Sequence, residues 1–289
     1  MRILNYNIEY GGYIRKIKPV KYADIIIENK VDVFICAEPH YPEINRTTKK
    51  PNYDKYGENA MEEVMNILEK KGFTYYHMEV GGMPFNMSVI SKYPISKTRN
   101  KYIYKLDVPD IIYTSKPKEV LLIPVHLDDT PFTFYTIRGI PYDKTPDCFK
   151  NKKEIVESSY STKSKIVENI LQYIRKYPNK KYIVGGDFNE PSHLDDPYNE
   201  WIISKKFLET GLIDTYRNIQ DKKGTKPIRD ILKYNYEGAT CCNDKGEIES
   251  LPSRIDYIYV KNMEIVDSKI LKKYKDYSDH MPVLSVVKI

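Results

Sequence analysis

No stretch of this 289-residue chain approaches the ~20 consecutive apolar residues that a helix needs to cross a bilayer. The first apolar run already begins at Arg2, which leaves no room for a signal peptide. Cysteine is scarce as well: Cys36, Cys148, Cys241 and Cys242 show no zinc-ligand spacing, and the adjacent pair suits a disulfide poorly. They read as reduced thiols of a cytoplasmic protein. Internal repeats, low-complexity tracts and linkers are missing too, so the chain reads as one domain over residues 1–289. A large excess of one charge is also lacking. The 46 Lys+Arg against 40 Asp+Glu leave a net +6, far from a histone-like excess but a mild bias toward anionic partners such as phosphate-bearing substrates.

What is present is a globular enzyme's composition, with 41% hydrophobic and 30% charged residues. The 27 tyrosines, like the abundant Lys, Ile and Asn, fit the drift of an AT-rich genome and carry no collective function. Residues 2–8 and 31–37 read as buried strands, with an amphipathic helix over 20–29 between them. Prolines 39, 42 and 51 predict a loop over 39–57, and Met61, Val64, Met65 and Leu68 then mark a helix over 58–71. Strands are expected at 73–80, 87–91, 95–104, 119–127 and 132–138, with a turn at 128–131. After a polar loop (139–157) comes a helix with Ile166, Val167, Ile170, Leu171 and Ile174 on one face. Asp196-Pro197 reads as the start of a helix running to Glu209, 222–235 as a surface loop, and 254–260, 264–271 and 281–289 as the last strands.

The stretch YIVGGDFNEPS (182–192) organises the rest. An apolar strand that stops at Gly185-Gly186 delivers Asp187 and Asn189 to its carboxyl end, the edge at which α/β sheets place ligands. Asp187 can accept a proton or hold a metal, and Asn189 can orient a water or donate to an oxyanion. Gly, Asp and Asn are also ordinary turn residues, so the company they keep decides. The same pattern of apolar run and then polar residue recurs at Asn7, at Glu38, and in the pair RIDYIYV and SDHMPV.

The order NYNI, ICAE, SVISKYPI, GGDFNEPS, RIDYIYV, SDHMPV, from Arg2 to Val287, resembles the endonuclease/exonuclease/phosphatase superfamily with its deoxyribonuclease I-like fold. The resemblance implies a four-layer α/β/β/α sandwich of two mostly antiparallel sheets flanked by helices. It also implies a metal-dependent phosphoesterase, first of all a nucleic-acid phosphodiesterase, with lipid head-group or inositol phosphate hydrolysis as the alternative. Glu38 then looks like the main metal ligand, with Asn7 beside it and Asp279 as a second carboxylate. Such an oxygen-rich set suits Mg²⁺, with Mn²⁺ a substitute. Asp187 would deprotonate the attacking water and Asn189 would support it and touch the phosphate. His280 would meet a phosphate oxygen, and Asp256, if it faces His280, would fix its tautomer and raise its pKa.

One position departs from the family pattern. Members carry a histidine, usually in a Thr-His-Leu context, on the strand before the long helix, and FTFYTIRG puts Arg138 there. Arginine can grip phosphate but will not release a proton at neutral pH, which raises a second alternative, a binding protein that has lost turnover. His126 in VHLD reads as a sheet histidine, His40 and His193 as rim residues, and His77 as structural. The chain is expected to act as a monomer on a phosphoester.

Overall fold

The computed structural model describes residues 1–80, 87–97, 112–114, 120–127, 152–195, 201–225 and 254–289. Strand β1 (Arg2–Asn7), helix α1 (Pro19–Glu28) and strand β2 (Val33–Ala37) form a parallel crossover unit, with Pro19 pre-set for the first helical turn. Next comes a two-stranded hairpin, β3 (His40–Ile44) and β4 (Pro51–Asn59), where a loop was expected. Proline cannot donate to a strand ladder, but both strands of an isolated pair are edges, and Pro42 and Pro51 are tolerated there. Asn59 caps helix α2 (Ala60–Lys70) by accepting from the Met61 amide at 2.9 Å.

Strands β5 (Tyr76–Val80), β6 (Met87–Ser91), β7 (Ile95–Lys97), β8 (Ile112–Thr114) and β9 (Val120–His126) follow. The expected strand over 132–138, the turn at 128–131 and Arg138 lie outside the described residues. Helix α3 (Lys152–Lys176) begins earlier than expected, because its polar first turns need no apolar stripe. After β10 (Tyr182–Asp187), helix α4 (Ile202–Glu209) starts behind the buried, non-helical Trp201, and the helix start expected at Asp196-Pro197 lies outside the described residues. The short β11 (Ile213–Asp214) and helix α5 (Thr215–Lys222) were not anticipated. Strands β12 (Asp256–Lys261), β13 (Glu264–Ile270) and β14 (Val283–Lys288) end the chain.

One sheet has the order β13-β14-β1-β2-β6-β5 and the other β11-β12-β10-β9-β8-β7. Leu4, Tyr6, Phe34 and Cys36 face α1 and α2, while Ile123, Val125, Val184 and Tyr259 face α3 and α4. Ile3, Val33, Ile35, Leu122, Ile183, Ile258 and Val283 fill the layer between the sheets. The order of layers is therefore helix, sheet, sheet, helix, the α/β/β/α sandwich. No helix among the described residues is long and apolar enough to cross a membrane.

Alternation along the strands positions the site. Ile3 points between the sheets, so Asn5 and Asn7 do too; Ile183 does, so Gly185 and Asp187 follow; Ile258 does, so Asp256 precedes it on the same face. Asn5 ties the sheets together by donating to the Gly186 carbonyl at 2.9 Å. Both glycines allow a close approach, and Gly186 is required there. A Cβ on Gly185 would stand 2.9 Å from the Ile35 methyl, and one on Gly186 (φ +149°) would fall 1.7 Å from the Val125 carbonyl oxygen.

Candidate active site

At one end of the inter-sheet layer the side chains that alternation aims inward run out of apolar neighbours and meet each other. Asn7, 1% exposed, donates through Nδ2 to Glu38 Oε1 at 2.9 Å and to Asp187 Oδ2 at 3.1 Å. One amide thus joins a carboxylate from each sheet. Glu38 ends β2 in the left-handed region (φ +52°), and its Oε2 accepts from the Tyr10 amide at 3.4 Å. Its side chain keeps 25% of its surface open and that of Asp279 keeps 37%, so these two are the accessible acids of the group.

Asp187 is held from several sides. Its Oδ1 accepts from the Asn189 amide at 2.9 Å, its carbonyl accepts from Leu127 N at 3.0 Å, and His280 Nε2 lies 3.8 Å from its Oδ2. The next residue, Phe188, turns the other way. Its ring packs edge-to-face on Phe207, Tyr257 and Tyr259 at 5.4 to 5.6 Å, which anchors the turn in the core beneath α4. Asn189 then adopts φ +46°. That strained turn is locked by its own Nδ2 donating to the Leu127 carbonyl at 2.8 Å and by Lys163 Nζ donating to its carbonyl at 2.6 Å. Lys163 is fully buried on α3.

His280 sits between carboxylates. Its Nδ1 is 2.7 Å from Asp256 Oδ2, and because an ionised carboxylate can only accept, Nδ1 carries the proton. Its Nε2 faces Asp187 and, at 3.9 Å, Asp279. Burial pulls this imidazole's pKa down, but the charges of Asp256, Asp279 and Asp187 outweigh it and hold the pKa well above the ordinary histidine value. Ser278 fastens the segment to β1 by donating to the Asn7 carbonyl at 2.8 Å, and it accepts from the His280 amide at 3.1 Å. Burial and the nearby Asp279 also raise the pKa of Glu9, although Arg15 holds it at 2.8 Å.

The structure thus brings Asn7, Glu38, Asp187, Asn189, Asp256, Asp279 and His280 to one sheet edge. It adds His126, which was read from sequence only as a sheet histidine. It is in the sheet, but β9 pairs in parallel with β10 and sets His126 opposite Asp187, with Nε2 3.6 Å from Glu38 Oε1 and a buried Nδ1 that has no hydrogen-bond partner among the described residues. The strand beside the GGDFN strand therefore ends in VHL. The signal was present, an apolar run closing on one polar residue. Lys163 was legible as a lysine on the face that carries Ile166, Val167 and Ile170. Of the proposed rim residues, His40 pairs with Glu79 at 3.2 Å and His193 Nδ1 with Ser204 at 2.8 Å, while His77 contacts Ser88 at 3.2 Å as a structural residue.

Two facing sheets with helices outside and a carboxylate, amide and imidazole cluster at the strand ends define a phosphoester-hydrolase architecture of the deoxyribonuclease I type. Residues 4–280 match the endonuclease/exonuclease/phosphatase family, and the chain belongs to it. Its members are in general hydrolases of phosphoesters. No protein of curated function matches the sequence. Among solved structures, a family protein from Leptotrichia buccalis shares 18% identity over the whole of both chains, with a TM-score of 0.58. A family protein from Beutenbergia cavernae shares 15%, covering all of this chain and 71% of its own, also at 0.58. The Neisseria 3′ phosphatase NExo bound to product DNA hairpin shares 16% over the whole of both chains at 0.56. At such identities these likenesses establish the fold.

Proposed function

We infer that the protein is a Mg²⁺-dependent phosphodiesterase acting on nucleic acid, with residues 1–289 working as one catalytic domain and as a monomer. The observation that carries this reading is the connected set Glu38–Asn7–Asp187–His280–Asp256, contributed by both sheets and open to solvent at Glu38. Its donors fit a hard cation. Glu38 and Asp279 offer carboxylate oxygens, while Asn7, whose Nδ2 serves Glu38 and Asp187 and whose Oδ1 accepts from the Glu9 amide at 3.0 Å, would turn its amide over to add an oxygen; the cluster concentrates negative charge that Arg15, committed to Glu9, does not neutralise. Asp187, Asp256 and His280 also lie within ligand distance of one another. The 2.7 Å Asp256–His280 bond speaks for proton handling there instead, and we place the cation at Glu38, Asn7 and Asp279. When bound, a divalent ion would neutralise phosphate charge and polarise a non-bridging oxygen.

The chain's own residues divide the remaining work. Asp187, oriented by the Asn7 and Asn189 amides, accepts the proton of the attacking water. His280, kept protonated by three carboxylates, donates from Nε2 to a phosphate oxygen, and Asn189 supports the same edge. His126 takes the proton-donor role toward the leaving oxygen, a role arginine cannot fill. Arg138 keeps, on sequence grounds, the role of phosphate grip. With His126 at this edge, the motive for reading a binder without turnover falls away. Buried, unpaired Cys36 supports a reducing compartment, the cytoplasm.

The test is hydrolysis of bis-p-nitrophenyl phosphate, single-stranded DNA, abasic duplex, RNA and phospholipid, with Mg²⁺ or EDTA. We expect Mg²⁺-dependent cleavage of the aryl ester and of at least one nucleic acid, lost by about a thousandfold in Asp187→Asn. Cleavage of the lipid alone transfers the assignment to a head-group phosphatase, and inertness toward every substrate overturns it.

A further inference from the structure

The cluster at the sheet edge is strongly acidic, with Glu9, Glu38, Asp187, Asp256 and Asp279 on neighbouring elements, so a polyanion needs a cationic approach to reach it. The β3–β4 hairpin supplies one. It departs from the chain two residues after Glu38 and packs on the loop whose Tyr10 amide touches that carboxylate. Tyr10 and Tyr53 then meet edge-to-face at 5.0 Å, and Tyr53 and Ile44 remain 42% and 41% exposed. Beyond them the apex, Asn45 to Lys50, is exposed throughout. It is fixed by Asn45 Oδ1 accepting from the Thr47 and Thr48 amides at 2.9 Å and by the Asn45 amide donating to the Lys50 carbonyl at 2.9 Å. Arg46, Lys49 and Lys50 project from this rigid turn, and none forms an ion pair with a described residue. Lys55, further down, is neutralised by Glu43 at 3.7 Å.

Resting on the hydrolase reading above, we propose that this hairpin is a guide for an unpaired polynucleotide strand, with Tyr53 as a base-stacking platform and Arg46, Lys49 and Lys50 as phosphate contacts. Seven residue steps, five of them along β3 (His40–Ile44), lead from Glu38 to Asn45, a reach of up to about 20 Å at ~3.3 Å per residue. A mononucleotide or an inositol phosphate cannot touch both ends, whereas a stacked strand at ~3.4 Å per nucleotide does so with about six. Aromatic faces beside a basic track suit unpaired bases, which a duplex keeps stacked among themselves. A membrane fits less well, because the apex that would enter the lipid is polar and charged at every position.

The experiment measures binding of a labelled single strand of about twelve nucleotides to Asp187→Asn protein, where the strand is not cut, across a salt series. The triple variant Arg46→Glu, Lys49→Glu, Lys50→Glu should bind at least ~10-fold more weakly, with a salt slope lower by about 2, the sum of three single-strand phosphate contacts. Tyr53→Ala should weaken single-strand binding by about fivefold or more and leave duplex binding unchanged. With Asp187 intact, both hairpin variants should hydrolyse bis-p-nitrophenyl phosphate within about twofold of the natural protein, because that ester spans only the Glu38 end. Unchanged strand binding, an equal loss for a dinucleotide, a Tyr53 effect as large on duplex, or tip-dependent capture by phosphatidylserine vesicles in place of the strand would each overturn the guide. If tip-dependent strand binding stands while the natural protein leaves the aryl ester intact, the guide survives and the hydrolase reading fails.

Discussion

His126 and His280 reach the same sheet edge with different neighbours, and the difference separates their chemistry. His280 is clamped by Asp256 and faces two more carboxylates, so it holds its proton; among the described residues His126 lies against one acid, Glu38, and on the reading proposed above it is the imidazole that gives a proton up. His126→Ala should slow hydrolysis of a nucleic-acid phosphodiester by about 10²- to 10⁴-fold. It should leave bis-p-nitrophenyl phosphate, whose leaving group needs no proton, within about threefold. Equal losses on both substrates would remove the proton-donor role. For His280 the sign of the pH effect follows from its raised pKa. The native state binds the proton more tightly than the unfolded chain, so the stabilisation is complete below the unfolded value of ~6.5 and is lost as pH rises through the folded value. In EDTA the denaturant midpoint should therefore fall on going from neutral to alkaline pH, and Asp256→Asn should shrink that fall. Asp187, Glu38, Asn7 and Asp256 were legible in sequence because each follows or interrupts an apolar run, and Asp279 and His280 because they stand just before the last strand. His126 was underrated because spacing does not reveal which strand lies beside β10. That follows from a parallel pairing between segments more than fifty residues apart.

Among the elements, the β9–β10 pair shows how close backbone approach is built into the site. Gly186 lies against Val125 with no room for a methyl group, so Gly186→Ala must push apart the strands that carry His126 and Asp187. We expect a loss of about 4 kcal/mol or more, or failure to fold, read by thermal and chemical denaturation. Lys163 works on the same pair from α3. Lys163→Met should cost about 1.5–3 kcal/mol for a lost charged hydrogen bond to the Asn189 carbonyl, and Lys163→Arg should restore part of it. The central strands were readable as continuous apolar runs and α1–α3 from period 3.6. The β3–β4 hairpin was not, because three prolines in one stretch argue for a loop. Helix α5 was missed for another reason: its Asp214 cap accepts from the Arg217 amide at 3.1 Å, but most of its residues are polar and its packing is set by tertiary context.

At the scale of the molecule, a buried ionic network joins parts that the sheets alone leave separate. Arg254 donates to Asp195 Oδ2 at 2.7 Å and to Asp214 Oδ2 at 2.6 Å, and Arg217 meets Asp195 Oδ1 at 2.8 Å. The Arg254 guanidinium lies 4.6 Å over the ring of Tyr257, so the segment after the catalytic turn, helix α5 and β12 share one charged knot. Burial still pushes the Asp195 carboxyl above its usual range. Arg254→Met leaves buried Asp214 without its guanidinium and Asp195 with Arg217 alone, and should cost about 3–5 kcal/mol, seen as a lower urea midpoint with unchanged slope. A milder effect would mean that water reaches the knot.

The pairing of β1 with β14, which sets Arg2 beside Val286, has a temporal consequence. Asn7 emerges from the ribosome first, while Asp279 and His280 are docked only once the final strand has been made and has found its partner across the whole intervening length. A chain interrupted before β14 therefore lacks the strand that docks Asp279 and His280 beside Asn7, and on the reading proposed above it would hydrolyse nothing.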